Sequence, residues 1–293
     1  MSSPTLNISI IGLGLIGASL ALALKQNSRN YNVHILGYSR RSETCSAALQ
    51  QGVIDSAAMD LRSCVTNIDL IVIATPVLKI RDIFRVISSD VKPGCIITDV
   101  GSTKADVVRW ADEFLPEGVN FIGGHPMAGK ETSGLEQAEP ELFEGCIYCL
   151  SPSPRASNGA LEMLAGLVQS IGAIPLIIDA HVHDSLVAAV SHLPILLSSA
   201  FVSATTGTPQ WPDMAKLAAS GYRDMSRLAS GNPDMNRDIC LTNRDSILQW
   251  IDIYIDELKK YRLVIANDDS ENTFNMLYQA KQARDIWAQE DKR

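Results

Sequence analysis

A single histidine lies among glycines and a proline in residues 123–129 (GGHPMAG). An imidazole exchanges a proton near neutral pH, so the chemistry open to His125 is proton transfer. Glycine adds backbone freedom and proline removes it, and neither favours the interior of a strand or a helix. The stretch therefore predicts a loop that holds one imidazole in place.

A glycine motif near the N-terminus predicts a dinucleotide site. An apolar run ends at Ile11, the sequence GLGLIG follows, and an apolar helical segment comes next. In such a unit Gly12 permits the tight turn, Gly14 lets the backbone approach a pyrophosphate, and Gly17 lets helix and strand pack closely. The N-terminus of the helix supplies free N–H groups for the phosphates. The predicted cofactor-binding residues are Gly12, Leu13, Gly14, Leu15, Ile16 and Gly17.

The end of the second predicted strand favours NADP over NAD. NAD enzymes usually have an acidic residue there, which binds the ribose hydroxyls. This chain instead has Ser39, Arg40 and Arg41, and no acidic residue before Glu43. A hydroxyl and two guanidinium groups suit a 2′-phosphate through charge-assisted hydrogen bonds. We therefore expect NADP as the preferred cofactor and NAD as the second choice; the alternative is a solvated basic loop.

Two further strand ends carry polar residues at the edge where open α/β sheets bind ligands. Thr75 and Pro76 follow one apolar strand, and Ser102 and Lys104 follow the next. We predict that Thr75, Pro76 and Ser102 contact the cofactor. For the second loop, a helix cap at Ser102 and a surface position for Lys104 stay open as alternatives.

Two arginines in the C-terminal half could bind an anion. Arg223 and Arg227 are four residues apart and so share one face of a helix, and Asp224 lies three residues before Arg227. The pattern fits a surface ion pair or a carboxylate clamp. His192, on an apolar helix, fits a buried core histidine as well as a substrate contact. The histidines that we do not expect to be functional are His34, His181 and His183.

Strands and helices are predicted to alternate in the first part of the chain. Apolar strands are expected at residues 7–11, 33–38, 69–74, 95–100, 121–122, 146–150 and 174–178, and helices at residues 18–24 and 159–170. The nearly all-apolar strands are typical of a parallel sheet that is buried on both faces. We predict an α/β Rossmann-like dinucleotide-binding domain over residues 1–178.

Helical periodicity then replaces the alternation. Long helices are predicted at residues 183–205, interrupted by Pro194, and at residues 212–230 and 233–266. The last helix carries a broad apolar stripe, formed by Ile251, Tyr254, Leu258, Tyr261 and Ile265. We predict an all-α substrate and dimerisation domain over residues 179–293, whose stripe is buried in a homodimer interface or in the domain's own core.

Composition argues against several classes of function. The 293 residues have a formal net charge of −8 and no long basic run, which disfavours nucleic-acid binding. No window approaches the roughly 20 apolar residues of a membrane span, and the N-terminus lacks the positive region of a signal peptide. Six scattered cysteines are typical of reduced thiols in the cytoplasm. We expect no metal site, because Cys146 and Cys149 have no second pair to complete one.

Five segments resemble one enzyme family when they are taken in order. They are GLGLIGAS from Gly12, DVGSTK from Asp99, GHPMAG from Gly124, SHLP from Ser191 and RDMSR from Arg223. Through them the chain resembles the monofunctional prephenate/arogenate dehydrogenases of tyrosine biosynthesis. The histidine and arginine segments are specific, whereas the glycine motif is shared with many dehydrogenases. The resemblance implies a Rossmann-like domain followed by a helical dimerisation domain.

The resemblance also implies a reaction. Prephenate loses a hydride to NAD(P) and its ring carboxylate as CO2, giving 4-hydroxyphenylpyruvate, and arogenate gives tyrosine directly. His125 matches the catalytic base, and Ser102 matches a serine that bonds to this histidine and to the substrate hydroxyl. Lys104 matches a lysine near the substrate, and Arg227 matches the arginine that clamps its carboxylate.

Departures from the prephenate pattern bear on the substrate. Many prephenate enzymes have a second histidine where this chain has Ile195, and some have a tryptophan where it has Asn236. Glu131 could pair with the ammonium group of arogenate or hold Arg227. These features and the NADP-like loop favour arogenate, whereas prephenate is the commoner substrate of the family, so both stay open. The predicted substrate-binding residues are Arg227, His192, Glu131 and Arg223.

Two other hypotheses fit these residues less well. A β-hydroxyacid dehydrogenase or an imino-acid reductase shares the two-part plan but lacks the His-Pro-Met-Ala-Gly loop. A catalytically silent NADP-binding sensor has no use for Ser102, His125 and Arg227 together. We therefore expect a cytoplasmic, homodimeric enzyme with a small anionic substrate and with no nucleic-acid or membrane partner.

Overall fold

Strands and helices alternate along the first part of the chain. The computed structural model describes residues 5–27, 32–129 and 134–290. Its strands are β1 (Thr5–Ile11), β2 (Asn32–Tyr38), β3 (Ser56–Ala57), β4 (Leu70–Ile73), β5 (Ile96–Asp99), β6 (Asn120–Pro126), β7 (Ile147–Pro152) and β8 (Ile174–Ile177). The helices among them are α1 (Leu15–Asn27), α2 (Ser42–Gln50), α3 (Val77–Ile87), α4 (Ala105–Phe114) and α5 (Asn158–Ser170).

The described strands form one sheet in the order β3-β2-β1-β4-β5-β6-β7-β8. Among them β6 and β7 pair in the antiparallel direction, and the other neighbours pair in parallel. The chain reverses its direction of travel through the sheet between β1 and β4. The carboxyl ends of these two strands therefore form the switch point at which open α/β sheets bind ligands.

Helices cover the sheet on both faces, which explains its apolar strands. One core, which includes Leu20 and Leu164, lies beneath α1, α2 and α5. The other core, which includes Phe84 and Trp110, lies beneath α3 and α4. The predicted Rossmann-like fold is confirmed by this arrangement.

His125 lies in a strand, so the predicted loop is wrong. Strand β6 continues through Gly123, Gly124 and His125 and ends at Pro126. Glycine is tolerated here because β6 lies close against β5: a Cβ atom at Gly124 would come within 2.3 Å of the Asp99 carbonyl oxygen. The imidazole is thus carried by the sheet, at the carboxyl end of a strand.

The C-terminal half is helical, as predicted. The helices are α6 (Ala180–Val187), α7 (Leu193–Thr206), α8 (Trp211–Leu217), α9 (Ser220–Ser226), α10 (Pro233–Thr242), α11 (Arg244–Ala266) and α12 (Ser270–Glu290). A π-helical turn (Ala188–His192) joins α6 to α7, so the chain stays helical up to Pro194. The run continues through Pro194, and the π-helical turn directly before it accommodates a residue that has no N–H to donate.

Two of the predicted helices are divided. The stretch 212–230 breaks between α8 and α9, where Ala218 and Ala219 are extended, and it ends in a 3-10 turn (Arg227–Ser230). The stretch 233–266 breaks at Asn243, the C-cap of α10. The side chain of Asn243 is used in long-range hydrogen bonds, which local periodicity cannot reveal.

One helical run is long and apolar enough to cross a membrane, contrary to the expectation that no window approaches a span. The run Ala180–Thr206 has 27 residues, with a mean hydropathy of 1.8 in its most apolar window. However, His183, Asp184 and His192 within it are buried and hydrogen-bonded to residues of other elements. These three residues tie the run to other elements, while 28% of its most apolar window is buried in the single chain.

The chain divides into two compact units, residues 1–244 and 245–293. The first contains the sheet, α1 to α10 and every contact of the site described below. The second contains nearly all of α11 and the whole of α12. A domain boundary between residues 178 and 179 stays a prediction.

Candidate active site

The glycine turn between β1 and α1 is shaped by close backbone contacts. Gly12 has a φ of +108°, and a Cβ atom there would lie 2.2 Å from the Ala74 carbonyl oxygen. A Cβ atom at Gly17 would lie 2.0 Å from the Gly12 carbonyl oxygen. At Gly14, in contrast, a Cβ atom would meet nothing within 4 Å. Packing within the protein thus explains Gly12 and Gly17, whereas Gly14 leaves room for a ligand.

The predicted NADP loop adjoins this turn. The Gly12 amide donates a hydrogen bond of 2.9 Å to the Tyr38 carbonyl oxygen, which brings the end of β2 beside the turn. Ser39 is partly exposed, and Arg40 and Arg41 are exposed. Neither guanidinium group makes a hydrogen bond or an ion pair with another residue in the described part of the chain. Two cations are therefore available next to the dinucleotide turn.

Thr75 and Pro76 lie at the end of β4, across the switch point from the glycine turn. A Cβ atom at Gly12 would be 3.3 Å from Thr75 Cγ2, so Thr75 packs against the turn. The Thr75 hydroxyl oxygen is buried and has no hydrogen-bond partner among the described residues. Buried polar atoms are rarely left unpaired. This orphaned hydroxyl and the space at Gly14 together fit a dinucleotide at the switch point.

Lys104 lies in the interior, which contradicts the surface position left open from the sequence, and its place near the substrate stays a prediction. The side chains of Lys104 and Asp99 are fully buried and form an ion pair. Lys104 Nζ also donates to the Gly124 carbonyl oxygen at 2.6 Å, and the Gly101 and Gly124 amides donate to Asp99 at 2.7 and 3.1 Å. Burial raises the pKa of Asp99 and lowers that of Lys104, while their mutual attraction opposes both shifts. The pair ties β6 to the loop after β5.

His125 is held by a histidine that the sequence did not single out. His125 Nδ1 lies 2.9 Å from His183 Nε2, and the two rings meet edge to face with centroids 5.1 Å apart. His183 Nδ1 in turn lies 2.8 Å from Asp184 Oδ1. The structure thus forms a line from Asp184 through His183 to His125, so His183, which is not expected from the sequence to be functional, contacts the predicted base.

Asp184 also caps α4. Its carboxylate accepts hydrogen bonds from the Lys104 and Ala105 amides at 2.8 and 2.9 Å. A carboxylate at a helix N-terminus satisfies free N–H groups and is stabilised by the helix dipole. Because α6 carries Asp184, the helical half of this unit is fixed to the loop that bears Ser102.

His192 is buried, and only one of its two ring nitrogens has a hydrogen-bond partner among the described residues. Asn243 Nδ2 donates to the Asp184 carbonyl oxygen at 2.7 Å and lies 3.2 Å from His192 Nδ1. An amide nitrogen is a donor, so His192 Nδ1 accepts and its Nε2 carries the proton. That Nε2 has no partner among the described residues. Desolvation lowers the pKa of His192 to about 4 despite the opposing charge of Asp184.

The predicted hydrogen bond between Ser102 and His125 is not formed in this arrangement. Ser102 is partly exposed in the bend before α4, and its hydroxyl makes no hydrogen bond with another described residue. His125 Nδ1 is engaged with His183, and its Nε2 has no hydrogen-bond partner in the described ranges. Desolvation lowers the pKa of His125 well below its usual 6.5, and charge on His183, Lys104 or His192 would lower it further. His125 is therefore a neutral imidazole at neutral pH.

The arginine segment is exposed and packs on α7. Arg223 in α9 and Arg227 at the start of the 3-10 turn are both exposed. The Ala229 amide donates to the buried Ser198 hydroxyl at 2.9 Å, which fixes this turn to α7. Glu131, the remaining predicted substrate residue, lies outside the described residues.

Comparisons with known proteins identify the family. The prephenate dehydrogenase nucleotide-binding domain matches residues 20–176, and the prephenate dehydrogenase dimerization domain matches residues 179–279. The chain belongs to the prephenate dehydrogenase family. The family expected from the sequence segments, the fold and the dehydrogenase class are thereby confirmed.

The relatives of this chain include enzymes named for prephenate and enzymes named for arogenate. The prephenate dehydrogenase of Bacillus subtilis (strain 168) is 38% identical over 280 residues, which are 95% of this chain and 75% of the relative. Synechocystis arogenate dehydrogenase is 30% identical with a TM-score of 0.84, covering 96% of this chain and 100% of that one. Prephenate dehydrogenase from A. aeolicus, solved with hydroxyphenyl propionate and NAD+, is 28% identical with a TM-score of 0.89, covering 97% and 99%.

Proposed function

We propose that this enzyme oxidatively decarboxylates prephenate to 4-hydroxyphenylpyruvate in tyrosine biosynthesis, with NADP as hydride acceptor. The observation that carries the proposal is the placement of His125, a neutral imidazole at the carboxyl end of β6, on the sheet edge that also bears the glycine turn. Cofactor and base are thus on the same edge, which the transfer of a hydride and a proton from one carbon–oxygen unit requires.

The glycine turn is proposed to hold the dinucleotide. Gly14 gives the backbone room for the pyrophosphate, and the first amides of α1 donate to it. The guanidinium groups of Arg40 and Arg41, which have no partner among the described residues, bind the 2′-phosphate together with Ser39. The Thr75 hydroxyl, which has no partner among the described residues, forms a hydrogen bond to the dinucleotide. When bound, NADP accepts the hydride from the ring carbon that bears the substrate hydroxyl.

His125 is proposed to take the hydroxyl proton on Nε2, because its Nδ1 is engaged by His183. As the proton leaves, the C–H bond releases its electron pair as hydride, and the hydroxyl oxygen forms a carbonyl. The bond between the ring and its carboxylate then breaks, CO2 leaves, and the electron pair restores an aromatic ring with a phenolic oxygen. The gain of aromaticity drives the step, so the protein mainly deprotonates and positions.

The substrate is proposed to lie between the sheet edge and the arginine segment. Ser102, whose hydroxyl makes no hydrogen bond within the described residues, donates to the substrate hydroxyl. Arg227 clamps a carboxylate, and Arg223 and Glu131 stay predicted substrate contacts. His192 offers its Nε2–H, which has no partner among the described residues. Lys104 acts from the interior by holding β6 in place.

Arogenate, which gives tyrosine directly, is the second candidate, and one observation favours it. Asn236 Oδ1 is buried and has no partner among the described residues. An amide oxygen accepts hydrogen bonds, so it suits the ammonium group of arogenate, whereas the keto oxygen of prephenate could bond only to the Nδ2 group of the same amide. Ile195, which replaces a histidine, removes a donor for that keto group.

A direct assay tests the proposed function. Purified enzyme is mixed with NADP and with either prephenate or arogenate, and the absorbance of the reduced cofactor is followed. Reduction with one substrate and a matching release of CO2 are expected. The comparison of kcat/KM for the two substrates assigns the activity. Absence of reduction with both substrates, in a folded protein that binds NADP, overturns the proposal.

A second assay tests the cofactor. The Arg40→Ala and Arg41→Ala double variant is expected to raise the KM for NADP by roughly 10-fold to 100-fold, because two charge-assisted contacts are lost, and to leave the KM for NAD nearly unchanged. The matched control is Arg262→Ala, an exposed arginine in α11. Equal efficiency with NAD and NADP in the unchanged enzyme would contradict the preference.

We also propose a homodimer that forms through the helical part, in the cytoplasm. Within the second unit, Leu258, Ile265 and Phe274 are more than half exposed in the single chain, and a partner surface would cover them. The six cysteines are free thiols, as expected in a reducing compartment. Light scattering of the purified protein is expected to give twice the mass of the chain, and a monomer at micromolar concentration would refute the dimer.

A further inference from the structure

The side chains behind His125 do more than occupy its Nδ1. His183 is 1% exposed and Asp184 is 3% exposed, and both lie on α6, an element that is far from β6 in the sequence. A buried histidine bonded on both nitrogens, once to a carboxylate and once to another imidazole, is a specific arrangement. It requires a choice of tautomer for each ring.

Hydrogen-bond donors and acceptors decide those tautomers. The Asp184 carboxylate also receives two backbone amides, so it is the acceptor in its bond with His183. His183 Nδ1 therefore carries a proton, and its Nε2 in the neutral ring has a free lone pair. That lone pair accepts the proton on His125 Nδ1 at 2.9 Å. His125 Nε2 is left unprotonated, which is the form that a base needs.

We propose that His183 is a positioning residue of this dehydrogenase: with Asp184 behind it, His183 holds His125 in the tautomer whose Nε2 is free and stabilises the imidazolium ion formed when Nε2 takes the substrate proton. The inference rests on the proposed function of His125 as base. In the reaction a proton moves from the substrate hydroxyl to His125 Nε2. The bond from His125 Nδ1–H to His183 then becomes charge-assisted and stronger.

The residues around His125 do not by themselves stabilise its imidazolium ion. His125 is desolvated, and the cation it forms is near Lys104 and His192 as well as His183. The nearest negative charge along the line of hydrogen bonds is Asp184, which reaches His125 only through His183. The other buried aspartates in the described part of the chain, Asp99 and Asp238, are paired with Lys104 and Arg237. A change at His183 is therefore expected to act on the chemical step and to leave cofactor binding intact.

Two amides of different length test the proposal. In His183→Asn the amide can keep a bond to Asp184 but is too short to reach His125. In His183→Gln the longer amide can place its oxygen where Nε2 was, as an acceptor for His125 Nδ1–H. The expected kcat falls about 100-fold or more in His183→Asn and about 10-fold in His183→Gln. The KM for substrate and the affinity for NADP are expected to stay within about threefold in both.

The control variant is His181→Asn, an exposed histidine two residues earlier in the same helix, which should retain full kcat. Thermal unfolding and NADP binding establish that each variant is folded. If the two variants lose kcat equally, or if KM rises while kcat is kept, His183 has a structural role alone and the proposal is overturned. If the unchanged enzyme itself oxidises neither substrate, the proposed function fails instead, so the two failures are distinguishable.

Discussion

The cofactor side and the base side of the site are built in different ways. At the glycine turn, Gly12 and Gly17 are determined by backbone atoms within the same strand–turn–helix unit and by Ala74, the residue that follows β4. At the base, His125 depends on His183, which is 58 residues away in the sequence. Both halves thus depend on contacts between distant segments, because Ala74 is 62 residues from Gly12. The contacts at the turn require glycine, which is visible in the sequence, whereas the contact at the base depends on a partner that only the fold brings close.

Replacement of the base should give the largest effect. His125→Asn removes the proton acceptor, and kcat is expected to fall between about 100-fold and 10,000-fold, which is about 3–5 kcal/mol in activation free energy. NADP binding, measured by titration, should be unchanged because the glycine turn does not depend on His125. An unchanged kcat would mean that another group is the base. The hydrogen bonds from Asp184 through His183 to His125 would then not support proton transfer.

The glycine turn should respond to substitution in a position-dependent way. Gly12→Ala places a Cβ atom 2.2 Å from a carbonyl oxygen at a φ of +108°, so we expect a loss of about 3 kcal/mol in the free energy of unfolding. Gly14→Ala meets nothing within 4 Å and should keep its stability, but should raise the KM for NADP about tenfold. Denaturant unfolding and NADP kinetics measure both. Equal losses of stability at the two positions would show that Gly14 serves packing as well.

Acid should reduce the free energy of unfolding through the base side of the site more than through the cofactor side. The folded-state pKa of His192 is about 4, below the unfolded value of about 6.5. The unfolded chain therefore takes up the proton first, and the stability from this site is complete above pH 6.5 and is lost as the pH falls towards 4. Between pH 7.5 and pH 5 the loss from His192 is about 2 kcal/mol.

The comparison with His192→Asn isolates that loss. The asparagine oxygen can still accept from Asn243, but the side chain does not titrate. Urea unfolding at the two pH values should show a smaller decrease in the variant than in the unchanged protein. An identical decrease in both would place the acid sensitivity elsewhere, for example at His125.

Local patterns predicted the sheet well. The glycine motif, the apolar strands and α5 follow from short stretches of sequence, and the structure has them within a few residues of the predicted bounds. The histidine stretch was predicted as a loop because glycine and proline disfavour strands in isolation. Gly124 lies in a strand because β5 packs closely against it. That packing is a tertiary contact, which the local sequence does not reveal.

The residues that hold the base could not be predicted from spacing alone. Spacing does not identify His183 and Asp184 because their partners, His125 and the first amides of α4, are on distant elements. One signal was present in the sequence. A histidine next to an aspartate inside a 27-residue apolar helical run implies buried polar groups, and buried polar groups require partners. The identities of those partners still depend on the fold.

The cap that Asp184 forms on α4 has a consequence for how the protein opens. Together with the hydrogen bonds from Thr103 to Thr242 and from Asn243 to Asp184, it joins α6 and α10 to the edge of the sheet. Amides in α4 and α6 are therefore expected to exchange their hydrogens through one shared opening event rather than through separate local fraying. A dinucleotide bound at the glycine turn would then slow hydrogen exchange in helices that it never touches.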